Sequence, residues 1–265
     1  MWIERIAKVL IWTVLWGVIL FLLGPLVVVI GASFSASPVF NFPPEELSLR
    51  WYSNMAQLDT LLPALRLSVE IALLSTAISL VLGTLCAIAI VRTRFPGRTA
   101  LTTFMVSPLM MPGLVVGIAM LQFFRMVGLL EAYPALLIGH VVITMPYVMR
   151  TVLAGLSLFD FTYIDAARVL GYSYPMAILR VLVPAQAPAF LTAGLFAFLA
   201  SMDNYPIAIF LTDVRNKTLP IQMLQYIEES PDPTIAAIST GLIVLTIVVL
   251  LVGDRLVGLR RLASM

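Results

Sequence analysis

The sequence predicts an all-α membrane protein: six transmembrane helices, with a polar helix–turn–helix between the fourth and the fifth. Three observations predict it. Hydrophobic residues make up 61% of the 265-residue chain and charged residues only 11%, where a soluble domain carries about 25% charge. Mean hydropathy is +1.03. Six apolar stretches approach the roughly 20 residues that cross a bilayer as helix, at residues 9–34, 68–91, 101–124, 134–155, 187–211 and 235–252. Lipid offers backbone groups no hydrogen-bond partner, so all six are expected to be helical. One membrane domain over residues 1–265 is expected.

The first stretch follows a short basic start, Arg5 and Lys8, and runs to the small residues Gly31-Ala32-Ser33. A secretory leader has an apolar core of about 7–15 residues. This run is longer, so it reads as a retained anchor. The second and fourth stretches are continuous. Pro108 and Pro112 interrupt the third, and Asp203 and Pro206 the fifth. Prolines are tolerated in membrane helices where neighbours re-satisfy the freed carbonyls. Cys86 and His140 each stand alone, which excludes a disulfide framework and argues against a thiol or imidazole metal site.

With six spans both termini share one side. That side holds Arg5, Lys8, Arg92, Arg94, Arg98, Arg150, Arg168, Arg180, Arg255, Arg260 and Arg261. The other holds Arg50, Arg66, Arg125, Arg215 and Lys217. The positive-inside bias makes the first side, with both termini and the loop at 160–186, cytoplasmic. The outer side carries Glu45, Glu46, Asp59, Glu131, Asp213, Glu228, Glu229 and Asp232. That is a solvated surface, or a field that draws cations to an entrance.

Within the cytoplasmic loop, residues 163–170 predict a short helix that Gly171 ends in a left-handed cap. Residues 172–183 predict a second, amphipathic helix with Met176, Leu179 and Val183 on one stripe, stopped by Pro184. The residues Asp165-Ala166-Ala167, Gly171, Val181, Val183 and Pro184 stand in the spacing Asp-Ala-Ala, three residues, Gly, nine residues, Val, one residue, Val-Pro. This resembles the EAA motif (Glu-Ala-Ala, three, Gly, nine, Ile, one, Leu-Pro) of permease subunits of binding-protein-dependent ABC importers. Asp stands for Glu and Val for Ile and Leu. The resemblance covers roughly residues 9–255 and is nearest to the second permease of spermidine/putrescine importers. Supporting stretches are Ser48-Leu49-Arg50-Trp51-Tyr52, Ser107-Pro108-Leu109-Met110-Met111-Pro112 and Ser201-Met202-Asp203-Asn204-Tyr205-Pro206. The polyamine permeases usually place two adjacent acidic residues in the last stretch; here the second is Asn204.

The resemblance implies a permease of the bacterial inner membrane. It implies two ATPase subunits gripping loops such as Asp165, Ala166, Ala167, Gly171 and Pro184, a second permease subunit, and a periplasmic solute-binding protein. Lipid is the expected surround, and no nucleic acid is expected. The chain lacks a GxxxxGK[ST] phosphate loop, so ATP and Mg belong on the partner ATPase. Asp203, Asn204, Tyr205 and Glu70 are the candidate substrate or pathway contacts, because an ionisable group within a membrane helix marks function by default. Asp203 suits an ammonium group; its other reading is a cap on a broken helix. Glu70, one turn after Arg66, reads first as half of an i,i+4 ion pair. His140 and Gln122 read as helix packing. The expected solute is small and cationic or zwitterionic, polyamine-like. Alternatives are 2-aminoethylphosphonate, sulfate or ferric iron. A stand-alone secondary transporter or an intramembrane enzyme is the different class.

Overall fold

The computed structural model describes residues 2–93 and 95–257. Among them the chain is helical, with a single isolated bridge between Ser35 and Leu47. Arg94, Arg260 and Arg261, three of the cations that set the expected orientation, lie outside the described residues. Two compact units emerge: residues 1–59 with 223–247, and residues 60–222 with 248–265.

The first unit begins with α1 (Trp2–Ser33). Its membrane-length window has a hydropathy of 2.7 and none of it is buried. A helix apolar on every face is a membrane span rather than a surface helix of a soluble protein. The chain leaving α1 is sewn to α2 (Arg50–Ala56). The buried Trp51 indole donates to the Ser35 carbonyl at 2.7 Å, Arg50 donates to the Ala36 carbonyl at 2.9 Å, and the Ser33 and Tyr52 hydroxyls pair at 2.8 Å. The stretch Ser48–Tyr52 is therefore an anchor for the end of α1. Asn54 of α2 then donates to Thr234 Oγ1 at 2.7 Å and to the Tyr226 hydroxyl at 3.3 Å. These lie at the start of α13 (Thr234–Val257) and in α12 (Leu219–Glu229).

The second unit is built on three helices: α3 (Leu61–Arg92), α6 (Ala132–Ser157) and α10 (Ala187–Met202). Their facing positions are small. Ala72, Ala87, Ala193 and Ala197 are fully buried, as are Ser75 and Ser79. In lipid, where apolar contact alone does not drive association, small residues let helix backbones approach and pack. Larger side chains, Ile90, Met149, Val152 and Leu156, close one end of the bundle.

Four helices, α1, α3, α6 and α13, are long and apolar enough to cross a membrane. The third expected span is not one rod. It divides into α4 (Arg98–Val106), a 3-10 turn Ser107–Met110, and α5 (Gly113–Met126), bent by 107°. Met111, which precedes Pro112, is extended, because a residue before proline is driven out of the helical region. The fifth expected span also changes. α10 has 16 residues, which reach only about 24 Å at 1.5 Å each. It is bent by 80° from the helical run before it and followed by a break and the short α11 (Ala208–Leu211).

Candidate functional site

The loop joining α6 to α10 starts with a built turn. Asp160 Oδ1 accepts from the Thr162 hydroxyl at 2.6 Å and the Thr162 amide at 2.9 Å. These bonds, the side-chain one first, hold the Asp160 carboxyl below its usual range. α7 (Thr162–Val169) follows, with Ile164 and Ala167 buried on one face and Asp165 and Ala166 exposed on the other. Gly171 ends it with φ +95°. The Gly171 amide bonds the Arg168 carbonyl and the Tyr172 amide the Ala167 carbonyl, which is the paired closure of a Schellman cap.

The second helical run differs from expectation. It begins at Tyr174 as α8 (Tyr174–Ala177), widens to a π turn at Ile178–Leu182 and ends as α9 (Val183–Ala185). Pro184 therefore does not stop the helix; it lies inside its last turn. Proline has no amide for the carbonyl four residues back, and the turn before it opens to the wider register. The chain breaks at Gln186 instead. Met176, Leu179 and Val183 are exposed together, and so are Val169 at 87% and Leu170 at 80%. The loop thus offers apolar side chains on a small, well-capped frame.

The second candidate region lies where α10 ends. Asp203 is the C-cap residue of α10 and is exposed, so it sits at a helix end rather than within a continuous span. No hydrogen bond or ion pair reaches its carboxylate from the described residues. The next residue does the capping: Asn204 Oδ1 accepts from the Ile207 amide at 3.2 Å. Tyr205 and Pro206 are half-buried. α5 braces this break, because a Cβ at Gly117 would come within 2.9 Å of the Pro206 carbonyl and 2.6 Å of the Phe210 ring. Gly117→Leu is therefore expected to lower stability by about 1–3 kcal/mol through overpacking, read as a lower thermal midpoint in detergent.

Behind Asp203 runs a buried polar line that sequence reasoning did not assemble. Ser201 Oγ lies 2.7 Å from His140 Nδ1 and accepts from Ser75 Oγ at 3.2 Å. Ser79 and Thr144 pair at 2.7 Å, and Thr144 bonds the His140 carbonyl at 2.8 Å. His140 is 2% exposed, a packing histidine whose bond crosses from α6 to α10. The signal was the four-residue spacing of Ser75 and Ser79 on an otherwise apolar helix. Gln122 is exposed on α5.

Glu70 departs from its expected pairing. Its carboxylate accepts from the Tyr133 hydroxyl of α6 at 2.7 Å, and Arg66 makes no ion pair among the described residues. Glu70 precedes Ser75 by five positions, about 7.5 Å of helix rise. Since Ser75 meets Ser201, Glu70 lies toward the same end of the bundle as Asp203.

Apolar helices too long and too bare for water, packed through small residues and interrupted by polar breaks, define a multi-pass membrane protein. A family model described as "binding-protein-dependent transport system inner membrane component" matches residues 79–260, and the chain belongs to that family. It is 29% identical over 223 residues to the spermidine/putrescine transport system permease protein PotC of Haemophilus influenzae, covering 84% of this chain and 86% of that one. It is 27% identical over 238 residues to the putrescine transport system permease protein PotI of Escherichia coli, covering 85% and 84%. The fold matches a chain of a bacterial ABC transporter involved in alginate import, with TM-score 0.75, 18% identity, and 95% and 96% of the two chains covered.

Proposed function

We propose that this chain is a transmembrane permease subunit of an ATP-driven importer for a small cationic or zwitterionic solute, polyamine-like in chemistry. The observation that carries the reading is its likeness to two permeases named for spermidine and putrescine, over more than four-fifths of its length. The exposed carboxylate of Asp203, which no described residue bonds, supports a cationic solute, since hydrogen bonds between ionised partners are the stronger ones. Glu70, Asn204 and Tyr205 complete the proposed pathway surface.

In this reading the loop at 160–186 is the coupling helix–turn–helix, and two ATPase subunits seat on its apolar side chains from the cytoplasm. The six spans count each bent helix pair as one crossing, with both termini cytoplasmic. A periplasmic binding protein delivers solute, a second permease subunit completes the pore, and ATP with Mg binds the partner ATPases. Closure of the ATPases displaces the loops and alternates access to the pathway.

The complex purified with its co-expressed partners in lipid tests this. ATPase activity is measured with the binding protein and putrescine, spermidine, 2-aminoethylphosphonate or sulfate in turn. Stimulation by a diamine or polyamine is expected. Stimulation by sulfate alone would discard the cationic solute and keep the importer.

A further inference from the structure

We propose that Arg92 is a positioning residue that ties the loop at 160–186 to α3, so that a displacement of α7 reaches all three helices of the bundle. The proposal rests on the reading of that loop as the ATPase contact. The chain itself joins the loop to α6 at one end and to α10 at the other. α3 ends at Arg92 and has no such covalent link. Arg92 supplies a non-covalent one. Its Nη2 donates to Asp165 Oδ1 at 2.5 Å, and its guanidinium lies 5.3 Å from the Phe161 ring and 5.7 Å from the Tyr174 ring. One side chain thus touches the entry to α7, α7 itself and the first residue of α8.

Apolar contact also joins these elements, because Ile88 and Ile90 of α3 share a cluster with Ile164, Ala167 and Ala177. Such contact is non-directional. A planar guanidinium held by a carboxylate and two ring faces fixes direction and register. Arg92 is 25% and Asp165 54% exposed. Water screens a pair this open, so it adds little to overall stability and its removal leaves the fold standing. Asp165 Oδ2 takes no hydrogen bond from the described residues, so among them Oδ1 alone holds the carboxylate in place, through Arg92.

The test uses the complex with its co-expressed ATPase in lipid vesicles, and reads both ATPase co-purification and solute taken up per ATP hydrolysed. Arg92→Gln is expected to retain the ATPase and to cut uptake per ATP about fivefold or more, the scale of a coupling free energy between sites. The exchange Arg92→Asp with Asp165→Arg is expected to recover about half or more of the wild-type ratio, which independent effects cannot do. Unchanged uptake per ATP in Arg92→Gln overturns the proposal. So does an exchange variant as impaired as Asp165→Arg alone, since Asp165 then serves the ATPase directly. If Arg92→Gln fails to accumulate, the exchange variant carries the test. A wild-type permease that retains no ATPase overturns the reading of the loop and this proposal with it.

Discussion

Gly171→Val is expected to release the partner ATPase, with co-purification falling about tenfold or more, while the permease still inserts. Gly171 has φ +95°, and a Cβ there meets nothing within 4 Å. The obstacle is therefore backbone conformation, not space. A β-branched residue in the left-handed region costs about 1–2 kcal/mol. The chain relieves that strain by abandoning the paired closure from Gly171 to Arg168 and from Tyr172 to Ala167. Val169, Leu170 and the stripe Met176, Leu179 and Val183 then lose their fixed relation, and the ATPase docking proposed for them weakens. One such misfit of about 1.4 kcal/mol is a factor of ten in affinity. Gly128 supplies a matched control. It has φ +79° and equally open surroundings, but it lies in the turn between α5 and α6. Gly128→Val carries the same strain at a site remote in sequence from the loop, and should leave the ATPase bound. Equal loss in both variants would mean that general destabilisation, not the loop, governs docking.

How far the sequence could be read depended on the range of the interactions involved. The membrane class and the long helices follow from local composition, and α3 and α6 are found where hydropathy places them. The polar loop and its glycine cap are also local, since positive φ selects glycine. The bends are a different matter. Pro108 and Pro112 announce a break, yet the 107° angle depends on what α5 rests against. Pro184 reads in the sequence as a stop, but the π turn before it absorbs the proline and the helix runs on to Ala185. Arg66 and Glu70 looked like a pair because they are one turn apart. The partner of Glu70 is Tyr133, 63 positions away, and nothing local announces it. The same holds for Ser75, Ser201 and His140, which are separately unremarkable and jointly line the seam between α3, α6 and α10. Likewise, Arg92 counts in the sequence only toward orientation; its reach to Asp165 depends on how α3 lies beside α7.

Asp203→Lys is expected to abolish uptake of a cationic solute while leaving the helix that bears it more stable. The two signs differ for a physical reason. Asp203 is the C-cap of α10, and a helix C-terminus carries about half a negative charge on its free carbonyls. A carboxylate there is opposed by the helix, whereas an ammonium is favoured by about 0.3–1 kcal/mol. Asn204, not Asp203, holds the break together through the Ile207 amide. Selection for folding alone therefore gives no reason for an acid at this position, and no described neighbour bonds it. Carbonyl ends plus a carboxylate form a negative site, suited to the ammonium group of the proposed solute. Reversing the charge replaces an attraction by an equal repulsion, so the interaction with a monocation roughly 4–8 Å away changes by about 4–8 kcal/mol at an effective dielectric constant near 20. That corresponds to an uptake loss well beyond tenfold. ATPase co-purification and basal hydrolysis should persist, and the thermal midpoint should hold or rise. Asn204→Ala is the structural counterpart: it removes the cap and should lower the midpoint while the Asp203 charge remains. Wild-type uptake of putrescine or spermidine in Asp203→Lys would exclude the carboxylate from the pathway. Faster uptake of an anion by the same variant would show that the site reads charge but that the native solute is not a cation.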